Sequence, residues 1–262
     1  TTGRRGPVLI DLPMNIQRSE VENPVYDMVF EDKHTDAAAA QQAADTILEA
    51  LEQAKRPVIM LGHGVDSSFS QQKLIRFAQK RQIPIITSVL AKSVLGYDHP
   101  LNFGCIGGAY GHRYANMIAN AKSDLLLCFG ISLCTRQIGT KVHEFARGAK
   151  IIRIDIDPYN LQRDIHENGI NEVKLQAETG AVIDCLAKAA APDTEGISDW
   201  LNVCTEIKEN LQAVDDATPE RYPNRMIADL SDMLEDTSAI AVDVGQHMVW
   251  SYQSFKNHEG QK

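Results

Sequence analysis

Four short apolar segments in the middle of the chain constrain its fold more than any other feature. They are continuously apolar rather than alternating, which is typical of strands covered on both faces. The segments are residues 56–62 (RPVIMLG), 83–88 (IPIITS), 124–130 (DLLLCFG) and 149–157 (AKIIRIDID). Between them lie segments whose apolar residues have helical spacing. Strands joined through helices form parallel sheets by right-handed crossovers. The pattern therefore predicts an α/β fold, a doubly wound parallel sheet with helices on both faces.

The predicted α/β domain begins with a helix that Asp36 caps. In this helix Ala40, Ala44 and Ile47 recur at spacings of three and four. The domain extends to about residue 190. Residues 6–13 predict a short buried strand, and residues 17–35 predict a linker, because they have no periodicity. The domain prediction is 1–35 for the tail of a preceding domain with its linker, 36–190 for a central α/β domain, 191–222 for a linker and helix, and 223–262 for the start of a further α/β unit.

The last segment contains a predicted helix with Ile227, Leu230 and Leu234, followed by a predicted strand at residues 238–245 (SAIAVDVG). Gly245 ends this strand, Gln246 and His247 follow it at once, and such a Gly-Gln-His loop suits a bound phosphate.

Composition argues against several classes of partner. The chain has 262 residues, a formal net charge of −9 and five cysteines. The negative charge, without a basic patch, argues against nucleic acid and anionic membrane surfaces. No apolar run approaches the roughly 18 residues of a membrane span, and the first residues lack the pattern of a signal peptide, so the prediction is a cytoplasmic protein. The cysteines form no C-x-x-C pair and predict neither disulfides nor a zinc site.

Ligands of open parallel sheets bind beyond the carboxyl ends of the strands. The residues there suit a nucleotide, because glycines expose backbone N–H groups and an acid can accept from ribose hydroxyls. The candidates are Gly62, Gly64, Thr87, Gly107, Gly108, Gly130, Ser132, Arg136 and Asp155. Two alternatives stay open, a functional cleft and turns that the fold itself demands. Ser67 replaces the third glycine of the dinucleotide fingerprint, which argues against an ordinary NAD site.

No residue is predicted to be catalytic or to bind a metal. His63 and His112 lack an identifiable partner and are interpreted as surface or packing residues. The sequence contains no G-x-S-x-G, H-E-x-x-H or Walker motif.

In order and over most of its length, the chain resembles the large subunit of acetolactate synthase and related thiamine diphosphate enzymes. Residues 6–17 (GPVLIDLPMNIQ) resemble the end of the pyrimidine-binding domain, and residues 242–250 (VDVGQHMVW) resemble the start of the diphosphate-binding domain. Between these two segments, four stretches resemble successive parts of the family's central domain: residues 56–64, 87–116, 122–139 and 149–158. The resemblance implies a middle segment of a longer, homo-oligomeric enzyme, inactive alone, which decarboxylates a 2-oxo acid and transfers the two-carbon unit to an acceptor.

The resemblance also implies cofactors. Gly245, Gln246 and His247 would help hold thiamine diphosphate, whose Mg²⁺ would be bound outside this chain. The strand-end residues would surround FAD, or ADP as in other relatives. The pattern departs from the family at His63, at Cys134-Thr135 and at Gln176-Ala177, and it has an additional residue near Tyr110. Two further hypotheses remain. One is a non-catalytic domain that binds a nucleotide or has only a structural or oligomerisation role, and the other, ranked last, is an NAD-dependent deacetylase.

Overall fold

The computed structural model describes the chain except for residues 1–6, 8, 22–35, 66, 109, 190–194, 220, 221, 236–238, 259, 260 and 262. Most of the predicted linker at residues 17–35 lies outside the described residues. The central elements are α2 (Ala37–Gln53), β1 (Pro57–Leu61), α3 (Ser68–Arg81), β2 (Ile85–Thr87), β3 (Asn102–Cys105), α4 (Arg113–Met117), β4 (Leu125–Phe129), α5 (Thr135–Ile138), β5 (Lys150–Asp155), α6 (Pro158–Gln162), β6 (Glu172–Gln176) and α7 (Thr179–Lys188). Before them lies α1 (Met14–Gln17), and after them α8 (Glu195–Ala217), α9 (Tyr222–Asp232) and α10 (Gln246–Ser254).

The strands form one six-stranded sheet in the order β3-β2-β1-β4-β5-β6. Every pairing is parallel, which confirms the predicted doubly wound sheet. The chain moves outward from β1 to β3 and then returns to β4 beside β1. The strand order therefore reverses between β1 and β4, and this switch point is where open α/β sheets form their crevice.

Both faces of the sheet are covered, as the continuous apolar strands predict. On one face Ile59, Leu127 and Ile152 pack with apolar residues of α2, α3 and α7. On the other face Met60 and Leu126 pack with residues of α4 and α8. Alternate residues of a strand thus enter separate cores, and this is why the central strands are apolar on both faces. Arg153 of β5 is a buried exception. Helix α2 begins where predicted, because the Asp36 carboxylate accepts from the backbone N–H of Ala39 at 3.0 Å.

Two predicted strands are wrong. Within residues 6–13 the described residues form no strand and are exposed; the Leu9 side chain is 95% exposed. Residues 239–245 likewise form no strand, and Val244 is 83% exposed. Both predictions depended on apolar composition, but a strand also needs a neighbour to satisfy its backbone N–H and C=O groups. In the described part of the chain the sheet consists of β1 to β6, and neither segment pairs with it.

Two strands of the sheet were missed by the sequence pattern, β3 and β6, and both are edge strands. In β3, buried and half-buried residues alternate and Gly104 interrupts the apolar run; in β6, Glu172 and Lys174 alternate with apolar residues. An edge strand has one neighbour and more exposure than a central strand, so its composition is less apolar.

Candidate functional site

The carboxyl edge of the sheet brings the predicted strand-end residues to one side of the molecule. Gly62 and Gly64 follow β1, Thr87 ends β2, Gly107 and Gly108 follow β3, Gly130 and Ser132 follow β4, Asp155 ends β5, and Arg136 lies in α5. Their shared location follows from the parallel topology. Their individual contacts decide what they can bind.

The glycines at the switch point are in direct backbone contact. A Cβ atom on Gly62 would lie 2.0 Å from the carbonyl oxygen of Gly130, and one on Gly64 would lie 2.7 Å from the Gly130 Cα. Gly130 also has a φ of +56°, a conformation that side-chain-bearing residues rarely adopt. The close approach of the β1 and β4 ends therefore explains all three glycines without a ligand.

The N–H groups of the predicted glycines donate within the chain. Gly62 donates to Phe129 O at 2.9 Å, Gly64 to Gly130 O at 3.0 Å, and Gly130 to Ile154 O at 2.9 Å. Gly107 donates to the Asn116 side chain at 3.2 Å, and Gly108 to Arg136 O at 3.3 Å. An N–H group that already donates to a protein oxygen is not available to a phosphate. All five N–H groups already have an acceptor, and a contact of these glycines with a phosphate stays a prediction.

The polar candidates differ in exposure. Thr87 and Asp155 are buried, Ser132 is half-buried and Arg136 is exposed. The Asp155 carboxylate accepts from the Asp157 N–H at 2.9 Å and from the Asn160 amide at 3.1 Å, so it orders the turn into α6. The Thr87 hydroxyl lies 3.3 Å from the Cys105 sulfur. A contact of any of these residues with a nucleotide stays a prediction.

The Gly-Gln-His loop lies at the start of α10. Gly245 is the residue before the helix, and the side chains of Gln246 and His247 are exposed. The described residues supply no acceptor for the backbone N–H groups of Gln246 and His247, as expected in the first turn of a helix. Free N–H groups at a helix N-terminus favour an anion. The loop therefore suits a diphosphate.

A set of hydrogen bonds, here called the C-terminal latch, joins the sheet to the segment that carries this loop. Lys92 donates to Phe255 O at 2.7 Å, the Tyr97 N–H donates to Asn257 O at 2.8 Å, and the Asn257 amide donates to Leu95 O at 2.8 Å. His112 completes it, because its Nε2 lies 2.8 Å from Gln253 O. The latch links the carboxyl edge of the sheet to α10.

The tautomer of His112 is fixed by its two partners. The Cys105 N–H donates to Nδ1 at 2.9 Å, so Nε2 carries the proton and donates to Gln253. Burial, reinforced by the positive charge of Lys92, lowers the pKa of His112 to about 3. The ring is therefore neutral at physiological pH. The interpretation of His112 as a packing residue fits this environment, but its partner 141 residues away could not be found from local sequence.

The described residues form neither a metal-binding cluster nor a membrane-spanning helix. Among the residues that the structure describes, no group of three or more His, Cys, Asp or Glu side chains is placed to hold a metal ion. In the same part of the chain, no helix is long and apolar enough to cross a membrane.

Comparison with known proteins defines the class of protein. Residues 44–186 match the family model described as the central domain of thiamine pyrophosphate enzymes. The matched residues include all six strands of the sheet and its switch point. The chain belongs to the thiamine pyrophosphate enzyme family, through this central domain.

Within that family, the chain is similar to large subunits of acetolactate synthase. It is 31% identical to a probable acetolactate synthase large subunit of Methanocaldococcus jannaschii, over 98% of this chain and 44% of the relative. It is 30% identical to the acetolactate synthase large subunit of Corynebacterium glutamicum, over 96% of this chain and 40% of the relative. For the isozyme 1 large subunit of Escherichia coli, identity is 29% over 97% of this chain and 43% of the relative. The chain thus spans less than half the length of these relatives.

Proposed function

We propose that this chain is the central part of a thiamine diphosphate-dependent carboligase of the acetolactate synthase type. The observation that carries the proposal is the similarity to acetolactate synthase large subunits, which extends over 96–98% of the chain and not only over the matched central domain. Such an enzyme would decarboxylate a 2-oxo acid and transfer the remaining two-carbon unit to an acceptor. Thiamine diphosphate, bound with Mg²⁺, supplies the electron sink for this chemistry, and the protein supplies binding and orientation.

In this proposal the start of α10 contributes to cofactor binding. The free N–H groups of Gln246 and His247, together with their exposed side chains, would donate hydrogen bonds to the diphosphate. The C-terminal latch would hold α10 against the sheet and so fix the direction of its N-terminus. No residue of the chain is assigned a proton-transfer role.

The proposal is tested with the protein encoded by the complete gene that carries this sequence. We expect it to release CO₂ from pyruvate only when thiamine diphosphate and Mg²⁺ are added. Replacing Gln246 with alanine should raise the thiamine diphosphate concentration needed for half-maximal rate about tenfold, since a hydrogen bond to a charged group contributes about 1.5 kcal/mol or more. His63→Ala is the control, because His63 is exposed and belongs neither to the latch nor to the Gly-Gln-His loop. It should leave that concentration unchanged. Absence of decarboxylation with pyruvate and with other 2-oxo acids would refute the proposal.

A second proposal concerns the central domain itself, which we infer to be architectural rather than a flavin or ADP site. The observation that favours it is that Gly62, Gly64 and Gly130 donate their N–H groups within the chain and lie in direct backbone contact with one another. A thermal-shift titration of the 262-residue chain with FAD, ADP and NAD should leave the melting temperature unchanged. A saturable rise with FAD would instead support FAD binding at the strand ends.

Assembly and location follow from the same proposal. An acetolactate synthase-type enzyme would be a homo-oligomer in the cytoplasm, and sedimentation of the protein from the complete gene would give its oligomeric state. A monomer at micromolar concentration would contradict this part.

A further inference from the structure

A small polar pocket lies beside the C-terminal latch, and the strand-end candidate Thr87 is among its lining residues. It is bounded by the ends of β2 and β3, by α8 and by the C-terminal segment. Its lining includes Lys92, Asn102, Lys208 and Asn257, with Tyr97 and His112 beside them. The pocket has room for about one water molecule. It is thus too small for a nucleotide or an organic cofactor, but its size suits a single-atom ligand.

Two half-buried lysines supply the charge of this pocket. Lys92 donates one hydrogen bond, to Phe255 O at 2.7 Å, and Lys208 donates one, to Asn102 O at 2.9 Å. An ammonium group has three donors, so each lysine retains donor capacity. Among the described residues, neither lysine forms an ion pair within 4.0 Å. Two cations therefore share one pocket, and no carboxylate of the described residues is in contact with either.

The surroundings make this arrangement unfavourable without an anion. Burial lowers the pKa of Lys92 and, despite the attraction of Asp98 and Glu209, that of Lys208. His112 cannot supply a negative charge, because an imidazole is either neutral or positive. Among the described residues that line the pocket, none carries a carboxylate. A bound anion would attract both ammonium groups and accept their remaining N–H donors.

We propose that the pocket between Lys92 and Lys208 binds one monovalent anion of halide size. The anion would contact groups from the sheet edge, α8 and the C-terminal segment at once. Because the Lys92 ammonium also belongs to the C-terminal latch, anion binding would stabilise the latch. This inference does not depend on thiamine chemistry, so its failure would leave the proposed function intact.

The test is the melting temperature of the 262-residue chain in potassium chloride and potassium gluconate mixtures at constant total ionic strength. Constant ionic strength keeps general charge screening the same in every mixture, and gluconate is too large for the pocket. We expect a saturable rise in melting temperature as chloride replaces gluconate. Lys208→Met keeps the aliphatic part of the side chain but removes the charge, and it should abolish the rise. The control Lys150→Met removes an exposed ammonium at the opposite end of the sheet and should retain it.

Two results would overturn the proposal: an absent chloride response in the unmodified chain, or an equal response in the Lys208→Met variant. A second measurement covers the case in which that variant does not fold. A crystal of the unmodified chain soaked in bromide should give an anomalous peak within hydrogen-bond distance of both Nζ atoms. A soaked crystal without such a peak would equally overturn the proposal.

Discussion

The imidazole of His112 and the backbone carbonyl of Gln253 are joined by a hydrogen bond of 2.8 Å across 141 residues of sequence. The other ring nitrogen accepts from the backbone of Cys105, so a single side chain connects the edge strand β3 to α10. Since both partners are backbone groups, the connection depends on the neutral ring and on no second side chain.

The first prediction concerns pH. The pKa of His112 is about 3 in the folded chain, below its ordinary value of about 6.5, so the unfolded chain binds more protons between these values. The stabilisation from the neutral ring is therefore fully present above about pH 6.5 and is lost as the pH falls toward 3. The free energy of unfolding of the unmodified chain should fall by up to about 1.4 kcal/mol per pH unit from this group.

Urea unfolding at pH 7 and pH 5 measures this effect. Because carboxylates also titrate at low pH, the comparison is with His112→Gln, which should lose less stability between the two pH values. His63→Gln, at an exposed histidine, should keep the profile of the unmodified chain. Identical profiles for His112→Gln and the unmodified chain would show that His112 is not the group responsible.

The second prediction concerns the switch point. Gly62→Ala would place a methyl group 2.0 Å from the Gly130 carbonyl oxygen, so the β1 and β4 ends would have to separate. We expect a loss of about 3 kcal/mol or more in the free energy of unfolding. Gly108→Ala is the matched control, because its Cβ would meet nothing within 4 Å, and it should change stability by less than about 1 kcal/mol. Chemical denaturation of both variants decides the matter, and equal stabilities would contradict the contact.

The third prediction concerns a buried ion pair. Arg153 donates to Glu172 at 2.7 Å, and their side chains are 2% and 0% exposed. Arg153→Met would leave a buried carboxylate without its partner and should cost about 3–5 kcal/mol. The double variant with Glu172→Leu should be less destabilised than the sum of the single changes. A double-mutant cycle by urea unfolding measures this coupling.

The control for that cycle is an exposed ion pair. Lys141 and Glu144 lie 3.5 Å apart with side chains 78% and 57% exposed. Their coupling should be below about 1 kcal/mol, because solvent screens the charges. Additive effects of Arg153 and Glu172 would be inconsistent with the pair as described.

The fourth prediction concerns the docking of α8. The Trp200 indole N–H donates to Pro57 O at 3.0 Å, and the indole is buried. Trp200→Phe would leave that carbonyl without this donor and should cost about 1–3 kcal/mol. Thermal unfolding by circular dichroism measures the change. Val203→Ala, at an exposed position of the same helix, should change little, and equal losses in the two variants would contradict the role of the indole.

The central strands and helices could be predicted from sequence because their burial is local information. Ile59 and Leu127 are apolar on a strand whose neighbours are also apolar, and such a run indicates a fully covered strand. The edge strands could not be predicted in this way, since Glu172 is polar yet buried in a pair with Arg153. The apolar residues Leu9 and Val244 gave the opposite error, because apolar composition does not provide a pairing partner.

The candidate site was predictable in position but not in contacts. Parallel topology places Gly62, Gly130 and Asp155 at one edge, and this follows from the strand pattern alone. Which atoms their N–H and carboxylate groups meet depends on distances of a few tenths of an ångström. The latch partners His112 and Gln253 and the pocket lysines Lys92 and Lys208 come from distant parts of the chain, so no local pattern connects them.

The contact between Gly62 and Gly130 also bears on how the sequence can diverge. Most core contacts join two side chains, so a larger residue on one side can be accommodated by a smaller one on the other. Here main-chain atoms lie on both sides, and neither glycine has a side chain to reduce. A larger residue at one position therefore cannot be compensated by a smaller one at the other. The loops after β1 and β4 can vary in sequence only outside this contact.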